Sequence, residues 1–236
     1  MPVKSAAVNQ VVCPGDCLLE LPDSGEVRVG AGVFLKEGFV LASKSGRAKQ
    51  TQKGKLWIKG DQKNYVPAVD ELVLGVIKER VVEAFKVDIN GPFHAELPVT
   101  AFENVTKRNI PALKRGEIIY ARITGANRCV APTLSCVNSL GKSGGMGVLK
   151  GGCTFEVSTR FAGELLSKPP HPCLVILGGS LKFEIVVGLN GWCWVDSPSP
   201  ASTILVINTV KGCQDLSHMQ AEILAKSVCT KLWHSG

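Results

Sequence analysis

Gly188-Leu189-Asn190-Gly191 separates two short apolar-rich runs, Phe183-Glu184-Ile185-Val186-Val187 before it and Trp192-Cys193-Trp194-Val195 after it. An Asn-Gly pair between such runs is the strongest short-range hairpin signal, because both residues tolerate the positive φ that a tight turn between twisted strands demands. The tetrapeptide therefore predicts a β-hairpin in the last third of the chain. It also sets Trp192 and Trp194, two residues apart, on one face of the second strand.

The same punctuation recurs along the chain, which holds 25 glycines in 236 residues. Up to about residue 64, short runs (Val11-Val12, Leu18 to Leu21, Val33 to Leu35, Phe39 to Leu41, Leu56 to Ile58) alternate with turns such as Pro14-Gly15-Asp16, and this spacing predicts a small β module over 1–64. Residues 65–142 carry strand patterns at Glu71 to Ile77, Ala84 to Ile89, Phe93 to Leu97, Glu117 to Ile123 and Thr133 to Val137. Five strands in about 75 residues fit a Greek-key OB barrel, a fold that often binds oligonucleotides. A glycine-rich stretch, Ser139 to Gly152, reads as a join. Residues 143–236 mix helix and strand, with Ser158 as an N-cap before Phe161, Ala162, Leu165 and Leu166. Ser217 to Gln220 forms a capping box ahead of a stripe of Leu216, Met219, Ile223, Leu224, Val228 and Leu232. Thr203 to Val210 fits either a strand or a helix. The fold class is therefore mainly β with an α+β C-terminal part.

Composition excludes several classes. With 45% hydrophobic and 20% charged residues the chain can build real cores. No run approaches the ~20 apolar residues of a membrane span, and Met1 to Ser5 lacks the apolar core of a signal peptide; a soluble, intracellular protein without membrane association is expected. Nine cysteines, an odd number with no C-x-x-C, read as reduced structural residues, and no metal or other cofactor is expected. The charge is +7 and uneven: Lys36 to Lys63 holds eight Lys/Arg against Glu37 and Asp61, a net of +6 that attracts polyanions or acidic protein surfaces.

No catalytic set emerges. Gly141-x-Ser143-x-Gly145 matches the string of a nucleophile elbow, yet more glycine follows where the elbow needs a helix. Gly141-Lys142-Ser143 matches the end of a phosphate-binding loop, whose required first glycine is replaced by Cys136. The four histidines are scattered. The 65–142 segment, by contrast, is rich in cations in and near its loops: Lys78, Arg80, Lys86, Lys107-Arg108, Lys114-Arg115, Arg122 and Arg128. Two dibasic pairs framing Asn109-Ile110-Pro111 suit sequence-independent phosphate contact. Phe85, Phe93 and Tyr120 are aromatic residues able to stack bases or to fill a core.

Gly188-Leu189-Asn190-Gly191 is also a variant of the G-x-x-G loop with which KH domains clamp RNA backbone. A turn-rich β module with Val12-Cys13-Pro14-Gly15-Asp16, an S-one-type OB fold, and a KH domain holding Gly188 to Asp196 together resemble the cap subunits of the eukaryotic RNA exosome over essentially the whole length. The resemblance implies a non-catalytic protein that sits on a ring of ribonuclease-PH-like subunits beside other cap subunits. It would help hold that ring together and guide RNA into its channel for processing and decay in nucleus, nucleolus and cytoplasm. It implies RNA contact by Lys107, Arg108, Lys114 and Arg115, to which Arg122 of the same segment is added. In RNA-gripping KH domains the G-x-x-G joins two helices and its middle pair is often basic. Here Leu189-Asn190 and the strand-like flanks make Gly188, Leu189, Asn190, Gly191, Trp192 and Trp194 a packing element instead. A free-standing OB–KH protein binding single-stranded RNA is the alternative.

Overall fold

The computed structural model describes residues 9–21, 27–51, 54–60, 64–105, 109, 111–127 and 129–233, with backbone alone at 59 and 231–233. The chain divides into two compact units, Met1–Gln62 and Lys63–Gly236.

The first unit is a pair of three-stranded antiparallel sheets. One sheet runs in the order β1 (Val11–Val12), β5 (Gly46–Gln50), β6 (Leu56–Lys59); the other runs β2 (Cys17–Glu20), β4 (Phe39–Ala42), β3 (Val33–Lys36). Alternation decides which residues go inside. Val12, Ala48, Leu56 and Ile58 from one sheet meet Leu18, Val40 and Ala42 from the other in a single core. The strand β5, Gly-Arg-Ala-Lys-Gln, carries no apolar run, since only Ala48 points inward. Its place in the middle of its sheet comes from pairing on both sides, not from propensity.

The second unit opens with a closed barrel. Strands β7 (Leu72–Arg80), β8 (Ala84–Asp88), β9 (Ala95–Pro98), β10 (Ile118–Asn127) and β11 (Val130–Ser135) hydrogen-bond in the order β11-β9-β8-β7-β10, and β11 also pairs with β10 to close the circle. This is the OB topology. Val73, Ile77, Phe85, Val87, Leu97, Ile119, Ile123 and Leu134 fill the inside. Phe85 is thus a core residue with no exposed surface, while Phe93 is 46% exposed and Tyr120 half-buried. Asn90-Gly91 does not make a two-residue hairpin: β8 and β9 are joined by residues 89–94, with Asn90 at φ 58°. The glycine-rich stretch read as a join is in part a strand, for β12 (Gly147–Leu149) pairs with Ile118 to Tyr120 of β10.

The remainder has the order β13 (Cys153–Glu156), α1 (Thr159–Leu165), α2 (Pro172–Ser180), β14 (Glu184–Val187), β15 (Trp192–Asp196), α3 (Pro200–Gly212) and α4 (His218–Trp233), with an antiparallel sheet ordered β13-β15-β14. Ser158 caps α1 by accepting from Phe161 N–H at 3.2 Å. The 203–210 segment is helical because Pro200 at the first turn presets φ and the register buries Val206 and Val210. The final helix has its capping box, in which Gln220 Oε1 accepts from Ser217 N–H at 3.1 Å. Its inward face differs from the expected one. Ala221, Ala225 and Cys229 are buried with Leu224 beside them, whereas Met219 and Ile223 are 73% and 62% exposed. Small side chains take the inner face because α4 lies close against α2 and α3.

The helix α2 carries a titratable cap. His171 is buried, and its Nδ1 accepts from Cys173 N–H at 3.4 Å with Cys173 Sγ 3.2 Å away. Phe161 and His218 lie against the ring, at centroid distances of 5.3 and 5.0 Å. Burial first, and the neighbouring His218 second, hold the His171 pKa below its ordinary 6.5, with Glu164 opposing. A histidine whose folded pKa is depressed stabilises the fold fully above its unfolded value and progressively less as pH falls below it. Protonation would also remove the cap acceptor. Thermal melting should therefore drop by about 2–4 °C between pH 7.5 and 5.5, corresponding to roughly 1 kcal/mol in a domain of this size. The variant His171→Asn, which can still cap, should flatten that dependence in a pH series of melts.

Candidate nucleic-acid interface

The glycine loop forms the turn of the β14–β15 hairpin. Gly188 N–H donates to Trp192 O at 2.8 Å, Gly191 N–H to Gly188 O at 3.0 Å, and Gly191 adopts φ 83°. The loop does not project into solvent. β8 pairs with β7 only as far as Val76, which leaves the β7 edge at Leu72 and Leu74 without a strand on that side. The loop fills this gap. Leu189 N–H donates to Leu72 O at 2.9 Å. Asn190, with no exposed surface, pairs its amide with Leu74 as another strand would: Nδ2 donates to Leu74 O at 2.7 Å and Oδ1 accepts from Leu74 N–H at 3.3 Å. Nδ2 donates again to Ile89 O at 2.9 Å.

Gly188 is required by this approach to β7, and Gly191 by the close passage of the 157–159 segment and its positive φ. A methyl group on Gly188 would come within 2.6 Å of Leu74 N, and one on Gly191 within 2.5 Å of Val157 O. Burial of the Asn190 amide and the absence of basic residues in the pair leave this loop without an exposed side-chain donor for a phosphate. The junction between the two helices α1 and α2, where RNA-gripping KH domains carry their glycine loop, is Leu166-Ser167-Lys168-Pro169-Pro170-His171 and contains no glycine.

The two tryptophans share the sheet face opposite the helices. Trp192 is half-buried in a crevice with Leu74, Val76 and Ile118 of the barrel, and its Nε1 donates to Glu156 Oε1 at 2.8 Å. Trp194 is nearly buried, packed over Gly152, and its Nε1 donates to Gly151 O at 3.0 Å. Trp192 thus meets the barrel, while Trp194 is covered by the turn that leads into its own sheet.

The cations fall into three groups. Lys107 and Arg108 lie outside the described residues, as does Arg128. Lys114 and Arg115 are exposed in a tight turn before β10, fixed by Lys114 N–H to Glu117 Oε2 at 3.1 Å and Gly116 N–H to Ile77 O at 2.8 Å. That turn stands at the same end of the barrel as the β7–β8 hairpin, where Arg80 lies 5.8 Å from the Phe85 ring centroid. There Glu79 pairs with Lys86 at 2.6 Å, and the Glu79 carboxyl is held below its usual range by that hydrogen bond first and, last of several, by Arg115. Lys114 and Arg115 have no ion-pair partner among the described residues. Arg122 is different. It sits on strand β10, 27% exposed, and donates from Nη2 to Val137 O at 3.2 Å with Asp70 4.0 Å from Nη1. Its buried Nε–H has no partner among the described residues. One edge of this guanidinium is thus committed to the barrel.

Among the described residues no group of three or more His, Cys, Asp or Glu is placed to hold a metal ion, and no helix is long and apolar enough to cross a membrane. All nine cysteines are free, and burial pushes the Cys136 and Cys193 thiols up to about 12. Ser143 donates its N–H to Glu103 Oε2 at 2.7 Å in a turn that leads to β12, not to a helix.

Comparison with known proteins agrees with this arrangement. The family profile "Exosome complex component RRP40, S1 domain" matches residues 65–147, and a KH domain profile matches 152–201. A Dictyostelium discoideum protein designated as exosome complex component rrp40 is 39% identical over 91% of this chain and 90% of its own. Exosome complex component rrp40 of Schizosaccharomyces pombe is 35% identical over 93% and 94%. Its counterpart RRP40 of Drosophila melanogaster is 34% identical over 89% and 94%. A crystal structure designated as an exosome complex RNA-binding protein superimposes with TM-score 0.61 at 20% identity, covering 74% of this chain and all of that one, which shows a shared fold.

Proposed function

The chain belongs to the family of exosome complex component RRP40, and on that premise we propose that it is a non-catalytic, RNA-binding subunit of the cap of an RNA exosome. The observation that carries the reading is the burial of Asn190 against β7. A KH domain that spends its glycine loop on a neighbouring barrel is a scaffold, and the barrel with its KH domain is presented as one body. RNA contact then falls to the barrel loops. Lys107, Arg108, Lys114 and Arg115 supply the phosphate contacts that guide RNA towards the channel of a ribonuclease-PH-like ring, and Arg122 serves the barrel. The N-terminal unit and the KH domain hold the ring, beside other cap subunits. On this reading it acts in nucleus, nucleolus and cytoplasm.

Affinity purification of the tagged full-length chain, followed by mass spectrometry, tests the assignment. Ribonuclease-PH-like subunits should be recovered at near-equal amounts with it. If they are missing, and the purified chain instead binds single-stranded RNA tightly with a steep salt dependence, it is a free-standing RNA-binding protein and the proposal is wrong.

A further inference from the structure

The outward face of the β1-β5-β6 sheet has a composition that its own packing does not require. The register aligns Val11 with Arg47, and Lys49 with Trp57. With Val12, Ala48, Leu56 and Ile58 inside, the alternation turns Val11, Arg47, Lys49 and Trp57 outward. On the other side of β6 the segment 28–31 runs alongside, with Leu56 N–H donating to Arg28 O at 2.9 Å and Gly30 N–H to Leu56 O at 2.7 Å. Gly30 therefore lies beside Trp57. A methyl group there would fall 2.9 Å from Trp57 Cβ and 3.2 Å from Lys55 Cε. Arg28, two residues before Gly30, is exposed on the same face by the strand period. The half-buried indole thus shares its sheet face with Arg28, Arg47, Lys49 and Lys55.

No described carboxylate offsets these four charges. The described acids of this unit are Asp16, Glu20 and Glu37, and all belong to the other sheet or its turns. Asp16 accepts from Cys13 N–H at 2.7 Å, and Glu37 lies 3.9 Å from Lys36. The Lys49 ammonium meets a neutral group, Asn9 Oδ1, at 2.9 Å. A cationic face of this kind attracts a polyanion.

We propose that this sheet face is a second contact surface for single-stranded RNA, in which Arg28, Arg47, Lys49 and Lys55 meet phosphates while Trp57 stacks on a base. One feature favours RNA over an acidic protein surface. An aromatic ring set among cations is the arrangement that grips single strands without reading sequence. The surface stands on sheet geometry alone, so it holds whether or not the barrel loops also touch RNA.

The test uses the full-length chain and a fluorescein-labelled single-stranded oligouridine, with anisotropy followed across a salt series. The double variant Arg47→Glu/Lys49→Glu should weaken binding about tenfold at 0.1 M salt and reduce the salt slope by about 1.4, the value for two lost phosphate contacts on a single strand. Trp57→Leu should weaken binding about fivefold or more and leave the slope unchanged, the signature of lost stacking. The milder Arg47→Gln/Lys49→Gln variant, checked by melting temperature, keeps the result interpretable if Trp57→Leu unfolds the unit. Unchanged affinity and slope in the charge variants would overturn the proposal. So would a charge variant that binds RNA normally but no longer recovers ring proteins, since the face would then serve an acidic protein surface.

Discussion

Asn190→Asp is expected to lower the unfolding free energy of the second unit by about 3–5 kcal/mol, at roughly 1–3 kcal/mol for each buried group left unpaired. The side chain keeps its shape, but both N–H donors disappear, and Leu74 O and Ile89 O then face a carboxylate. Oxygen opposes oxygen in a site with no exposed surface. Burial raises the pKa of such a carboxyl, so its protonated form, which regains one donor, is favoured in the folded state. A group with a raised folded pKa adds stability as pH falls, and the deficit of the variant should shrink between pH 8 and pH 5. Urea titrations of parent and variant at the two pH values measure both effects. An equal, small loss at both would mean that the amide bridge between hairpin and barrel carries little of the stability.

Reversing Lys107, Arg108, Lys114 and Arg115 to glutamate together is expected to weaken single-stranded RNA binding on the order of 10–100-fold near physiological salt, because each lost phosphate contact removes about 0.7 from the salt slope. Assembly with ring subunits should be unaffected. Lys114 and Arg115 are exposed, and the turn that carries them is fixed by the Lys114 N–H and Gly116 N–H groups, not by their side chains. Anisotropy titrations against salt and pull-down of the ring proteins read the two properties separately. Loss of assembly with RNA affinity intact would show that this loop docks on protein.

The architecture was largely legible because its signals are local. Short apolar runs between glycine turns marked most of the strands, Ser158 and Ser217 marked the starts of two helices, and Asn190-Gly191 marked a hairpin. What escaped is what depends on distant partners. β5 reads as a basic loop because only Ala48 faces the core. β12 reads as a linker because its pairing with β10 lies about 30 residues back along the chain. α2, Pro-Cys-Leu-Val-Ile-Leu-Gly-Gly-Ser, has little amphipathic contrast to announce it. On α4 the larger residues, Met219 and Ile223, suggested an inner face that in fact belongs to alanine. For the site, the apolar and neutral pair Leu189-Asn190 between strand-like flanks pointed to a packing turn. The sequence could not show what the amide does there, since its partners are backbone atoms 116 and 101 residues away, and backbone atoms leave no trace in composition.

The open edge of β7 ties the barrel to the chain that follows it. The barrel borrows residues from downstream twice, once as β12 and once as the 188–190 turn. The barrel is therefore not a self-sufficient module that recombination could transplant by itself. A gene fusion that moved the OB segment without the hairpin would carry away a sheet with bare peptide groups at Leu72 and Leu74, ready to recruit any passing strand. The pair travels as a single cassette, and a chimera built from it should be cut outside both folds.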